Sequence, residues 1–112
     1  MAEDTIFGKI TRGEIPTDFV YEDEHCVAIN DINPKAPVHV LIIPRKPIPR
    51  LVDAGPEDQA LLGHLLLAAK KIAEQLGVDD ACNIVINNGA DAGQTVFHLH
   101  IHLLSGRSFG IG

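Results

Sequence analysis

The stretch Phe97-His98-Leu99-His100-Ile101-His102-Leu103-Leu104 decides how this chain is read, because imidazoles alternate in it with apolar side chains. Successive side chains of a β-strand point to opposite faces. The spacing therefore predicts a strand over 97–104, with His98, His100 and His102 on one face and Leu99, Ile101 and Leu103 on the other. The apolar face belongs to a core. The other face gathers three of the chain's six histidines, and neutral imidazole there can act as nucleophile, proton shuttle or metal ligand.

Working outward, Gly89-Ala90-Asp91-Ala92-Gly93 reads as a flexible loop. Its small residues let backbone N–H groups approach an oxyanion, and Gln94 and Thr95 add side-chain donors. Cys82 to Asn87 is a predicted strand. Pro56, with Glu57 and Asp58 behind it, opens one long helix that Gly77 ends. Its apolar stripe runs Leu61, Leu65, Ala69, Ile72 and Leu76, widened by Leu62, Leu66 and Ala73. Val38 to Ile43 is β-branched and stops at Pro44, with Val38, Val40 and Ile42 facing opposite to His39, Leu41 and Ile43. Asp18–Glu22 and Cys26–Asp31 form an expected hairpin around Glu22-Asp23-Glu24-His25, and Asp4 is the expected cap of a short helix over 5–10. The sum is an α+β fold: an antiparallel sheet of five strands, one short N-terminal helix and one long helix.

With 112 residues, 46% hydrophobic and 21% charged, the chain fits one domain over 1–112. Aromatic residues are few, so the core is aliphatic, and burying a sheet edge in a homodimer is expected to supplement it. A net charge of −6 argues against a nucleic-acid polymer as partner. Two segments free of Asp and Glu run against that balance: 32–52, with Lys35, Arg45, Lys46 and Arg50, and 92–112, with Arg107 and three histidines. Together they are placed to frame a small anionic ligand, although the first alone reads equally well as a solvated loop. Cys26 and Cys82 read as buried reduced thiols. Met1-Ala2-Glu3-Asp4 has the wrong charge for a leader, and no apolar run approaches membrane-spanning length, so no membrane is expected and the reading is cytoplasmic. His25 at a turn and His64 on the helix read as solvated.

Two chemistries fit a histidine face. His-x-His-x-His can chelate zinc, but the loop before it is built for an anion and orienting carboxylates are scarce nearby in sequence. No metal and no cofactor are therefore expected. The other chemistry is attack on phosphorus, with His100 in the centre as nucleophile and His98 and His102 polarising oxygens or passing protons. It requires a partner across the sheet to fix the nucleophile's tautomer.

Gly93-Gln94-Thr95-Val96-Phe97-His98-Leu99-His100-Ile101-His102-Leu103-Leu104 followed by Gly106-Arg107 resembles the signature of the histidine-triad superfamily, in particular its nucleotide-binding (Hint) branch of purine nucleoside phosphoramidases. The likeness extends through Ile6-Phe7-Gly8-Lys9-Ile10, Glu14-Ile15-Pro16, Asp31-Ile32-Asn33-Pro34, Ala36-Pro37-Val38-His39 and Leu62-Gly63-His64-Leu65. The resemblance implies a dimer with a continuous ten-stranded sheet and hydrolysis of P–N bonds in adenosine or guanosine 5′-phosphoramidates without a metal. It implies His100 as the nucleophile that becomes nucleotidylated and His102 as the phosphate contact that assists the leaving group. His39 would set the nucleophile's tautomer together with the backbone of His98. Asn87 and Thr95, beside Gly93 and Gln94, would hold phosphate, Asp31 the ribose hydroxyls, and Phe7, Ile10 and Ile32 the wall for the base. Thr95 stands where many relatives have serine. The end, Ser108-Phe109-Gly110-Ile111-Gly112, lacks the Trp-Pro-Pro type of tail that reaches toward the partner's site in some relatives. Two rivals remain: hydrolysis of dinucleoside polyphosphates, and a nucleotide-binding regulatory module with vestigial activity.

Overall fold

A computed structural model describes residues 4–108; the expectations for the leader segment and the C-terminal tail fall largely outside them. Helix α1 (Ile6–Thr11) is followed by strands β1 (Tyr21–Glu22), β2 (Cys26–Asn30) and β3 (Val38–Pro44), helix α2 (Gln59–Gln75), and strands β4 (Asn83–Val85) and β5 (Ile101–Ser105). The five strands form one sheet in the order β1-β2-β3-β5-β4, and every neighbouring pair is antiparallel.

A helix covers each face, so the central strands are apolar on both sides. Against α2 pack Cys26, Ala28, Val40, Ile42, Leu99, Ile101 and Leu103, meeting Leu65, Ala69 and Ile72 of the helix. On the opposite face Val27, Ile29, Leu41 and Ile43 pack with Phe7 and Ile10 of α1. The expected division of β3 and of the histidine segment into two faces is thus the observed one. Burying each large aliphatic side chain contributes about 1.5–3 kcal/mol. On α2 the stripe is narrower than its periodicity implies, since Leu66 and Leu76 are exposed and Ala68 is buried in their stead. The sheet meets only one line of the helix.

Local chemistry sets the element ends. Thr5, not Asp4, caps α1: its Oγ1 accepts from the Gly8 N–H at 3.1 Å, while Asp4 pairs with Arg12 at 2.7 Å. Gly77, at φ +71°, closes α2 in a Schellman turn, with Gly77 N–H donating to Glu74 and Val78 N–H to Ala73. The histidine strand is shorter than predicted and starts at Ile101, so His98 and His100 lie just before the ladder. Its neighbour β3 ends at Pro44, which has no N–H to continue the pairing. The chain then turns, and Leu99 N–H donates to Ile48 O instead, at 2.7 Å.

Candidate functional site

A cleft of about 540 Å³ opens at one end of the sheet. Its walls come from His39 of β3, Val85 of β4, and His102 and Leu104 of β5, together with Asp31 and Lys35 before β3, Asn87, Gly93 and Thr95 between β4 and β5, and Arg107 beyond β5. Strand register creates the meeting: His39 lies opposite Leu104 and Leu41 opposite His102, which makes the two histidines diagonal neighbours on one face. Gly93 adopts φ +99°, a conformation that side chains disfavour.

Hydrogen-bond partners assign the tautomers. His39 Nδ1 accepts from the Lys35 backbone N–H at 3.1 Å, so the proton of the neutral ring sits on Nε2. That Nε2–H faces His102 Nδ1 at 2.9 Å, which must accept, and the His102 proton is left on Nε2. This Nε2 is the buried side-chain polar atom without a protein partner among the described residues. His100 is set the opposite way: its Nδ1–H donates to the His98 carbonyl at 2.8 Å, leaving a lone pair on Nε2. The His100 and His102 rings lie 5.0 Å apart, and the edge of Phe7 closes on His100 at 4.9 Å.

Burial disfavours charge on these rings. It holds His98, His100 and His39 below the ordinary imidazole value. His102 is pushed down to about 4, by burial first and then by His100 and His39. At neutral pH the two rings are uncharged, His100 with a lone pair on Nε2 and His102 with a proton on Nε2.

Of the residues picked out from sequence, Asp31, His39, Asn87, Gly93, Thr95 and His102 come together in the cleft, with His100 against His102. Others do not. His98 is 1% exposed and gives its Nε2–H to Pro44 O at 2.7 Å; it supports His100 through its carbonyl instead of facing a ligand. Gln94 is a brace, its Oε1 accepting from Gly89 N–H and its Nε2 donating to Pro49 O and Val96 O. Its donors are used up inside the protein. Ile32 is 91% exposed, outside the cleft, and Ile10 is buried in the core on the inner side of α1. His39 hydrogen-bonds to His102 and so sets the tautomer of that ring, whereas the resemblance implied that it helps set the tautomer of His100. Val85 and Leu104 were missed, although Leu104 shares the even-numbered parity of the histidines.

The basic segments divide as well. Lys35 and Arg107 line the cleft, with Arg107 Nη1 donating to Lys35 O at 3.2 Å. Arg45 instead holds Thr11 O and Asp23 O, Lys46 pairs with Asp58 and Arg50 with Asp53. Cys26 is buried as expected, whereas Cys82 is half-buried. His64 is not simply solvated, since its Nε2 meets Asp23 Oδ2 at 2.7 Å. Among the described residues His98, His100 and His102 do not bring three ligand nitrogens within 4.8 Å of one another. Asp31, His39 and His102 do offer ligand atoms within 4.8 Å of one another.

Residues 12–109 match the HIT domain model. The chain belongs to the HIT family. It is 65% identical over 109 residues to an uncharacterized HIT-like protein of Synechocystis sp., covering 97% of this chain and 96% of that one. Among solved structures, a HIT family hydrolase from Clostridium thermocellum superposes with a TM-score of 0.91 at 44% identity, covering 100% of this chain and 98% of that one. A histidine triad nucleotide-binding protein from Candida albicans superposes with a TM-score of 0.85 at 34% identity, covering 96% and 81%. This HIT chain has the sheet and helix arrangement of those structures. No helix among its described residues is long and apolar enough to cross a membrane.

Proposed function

We propose that this HIT protein hydrolyses the P–N bond of purine nucleoside 5′-phosphoramidates through a nucleotidyl intermediate on His100. The observation that carries the reading is the pair of complementary tautomers: a lone pair on His100 Nε2 next to an unpartnered Nε2–H on His102. In the first step, with His102 protonated to the imidazolium beside the bound phosphoryl group, His100 Nε2 bonds to phosphorus, the P–N bond breaks, and the departing nitrogen takes the His102 Nε2 proton, which leaves that ring neutral. In the second step water attacks phosphorus, gives its proton back to His102 Nε2, and releases the nucleoside monophosphate from His100. A bound phosphoryl charge works against the burial that holds His102 neutral, so its proton affinity rises when substrate is present. The Asn87 amide and the Thr95 hydroxyl, which line the cleft beside Gly93, stabilise the non-bridging oxygens; the expected backbone cradle is spent, because the N–H groups of Ala92, Gly93 and Gln94 donate within their own loop. Asp31 is the ribose contact and Phe7 part of the wall around the base. The solved relatives described as a hydrolase and as a nucleotide-binding protein support this class of activity.

The active form in this proposal is a homodimer joined at β4. That edge strand and the adjacent part of α2 leave Leu66, Leu67, Ile84 and Val85 exposed at 51%, 61%, 42% and 36%, which suits pairing with a second copy.

A substrate panel with a chromogenic amine as leaving group tests the reading, on wild type and His100→Ala, with and without chelator, alongside direct titration of adenosine monophosphate. Expected are turnover by wild type that survives the chelator, and loss of turnover in His100→Ala with nucleotide still bound. Binding without cleavage would point to the regulatory module. Cleavage confined to dinucleoside polyphosphates would favour the other enzyme class.

A further inference from the structure

On the α2 face of the sheet, away from the histidine cleft, the β1–β2 turn meets α2 in a second cluster of chemically active side chains. Asp23, Cys26 and His64 offer a carboxylate oxygen, a sulfur and an imidazole nitrogen within 4.8 Å of one another. Three separate elements supply them. Asp23 Oδ1 accepts from the backbone N–H of His25 at 2.8 Å and of Cys26 at 2.9 Å, which fixes the carboxylate and aims Oδ2 outward. Oδ2 receives Tyr21 OH at 2.8 Å and faces His64 Nε2 at 2.7 Å.

We propose that Asp23, Cys26 and His64 bind a divalent cation that favours sulfur and nitrogen, Zn²⁺ being the best match. The mixed donor set decides the class, since thiolate and imidazole select zinc-like ions whereas magnesium and calcium take oxygen ligands. The cation replaces the proton shared between His64 and Asp23 and the thiol proton of Cys26. Entry requires the two facing atoms to open from 2.7 Å to roughly 3.3 Å, the spacing of ligands about 2.0–2.1 Å from a tetrahedral ion. Tyr21 OH then supports the ligating carboxylate from behind. His25, from the same turn, packs its ring 4.8 Å from that of His64, and water completes the coordination. Without a cation the same contacts form a closed hydrogen-bonded network, and bonding of sulfur to the ion is what distinguishes the two arrangements.

The experiment uses Cys82→Ser protein, in which Cys26 is the remaining thiol, titrated with Co²⁺ under reducing, oxygen-free conditions. Expected is a near-ultraviolet sulfur-to-cobalt band that saturates at one equivalent and is bleached by Zn²⁺. Adding His64→Gln or Cys26→Ser should abolish it, and His102→Ala, which disables the cluster in the cleft, should leave it intact. His64 lies half-exposed on α2, so His64→Gln decides the matter even if Cys26→Ser fails to fold. Absence of the sulfur band at saturating Co²⁺, or its persistence in His64→Gln, overturns the site. The result does not depend on phosphoramidase activity.

Discussion

Replacing Gln94 by alanine separates two jobs that this residue can hold. Read from sequence, its amide is a donor to a bound anion. In the structure it is 3% exposed and spends itself on Gly89 N–H at 2.8 Å, Pro49 O at 2.8 Å and Val96 O at 3.0 Å. Each such bond contributes about 1 kcal/mol net, with a larger cost where its partner is left dry and unsatisfied. Three bonds with partial entry of water give an expected loss of about 2–4 kcal/mol. Gln94→Glu keeps the acceptor for Gly89 but sets a carboxylate against two carbonyl oxygens, so at pH 7 its loss is at least as large. Urea unfolding followed by circular dichroism measures both, and titration with adenosine monophosphate under native conditions measures the site. A stability change below about 1 kcal/mol together with weakened nucleotide binding would refute the bracing argument and restore the donor role.

Three further outcomes follow from the geometry. Gly106→Ala places a Cβ 2.7 Å from Pro37 Cγ at φ +98°, and is expected to cost about 2–4 kcal/mol, read as a lowered thermal midpoint. His39→Phe removes the partner of His102 Nδ1, and should lower kcat by about a hundredfold while a nitrogen-15 spectrum shows His102 no longer held as one tautomer; a single retained tautomer would contradict the assignment. For pH, histidines in the unfolded chain take up protons below their ordinary 6.5, whereas His102 resists until about 4. The folded state therefore binds fewer protons in that window, so the His102 contribution to stability should be fully present above pH 6.5 and decline from pH 6.5 toward 4. His102→Asn should make the decline shallower, as denaturant midpoints across the range will show.

Much of this molecule is legible in its residues taken in order. The two-residue period of 97–104 places Leu99, Ile101 and Leu103 in the core facing α2, and Val38–Ile43 divides between faces as its alternation requires. Gly77 ends the long helix where only a residue tolerant of positive φ closes the turn. Boundaries and roles were harder to read. The start of β5 depends on Pro44 in the neighbouring strand, and the exposure of Leu66 depends on how far the sheet reaches across α2. The cations of 32–52 look alike in sequence, yet Lys35 lines the cleft while Arg45, Lys46 and Arg50 are held elsewhere.

Side-chain direction repeats every two or 3.6 residues, so the order of residues by itself determined the strands, the long helix and the gathering of imidazoles on one face. Which nitrogen carries a proton follows from what each ring touches. His102 is set by a histidine 63 positions away, and His98 is turned into a support by the carbonyl of Pro44, 54 positions away. Only the folded sheet brings those partners within hydrogen-bonding distance, and so only the tertiary structure decided which imidazole nitrogen keeps a lone pair and which carries a proton.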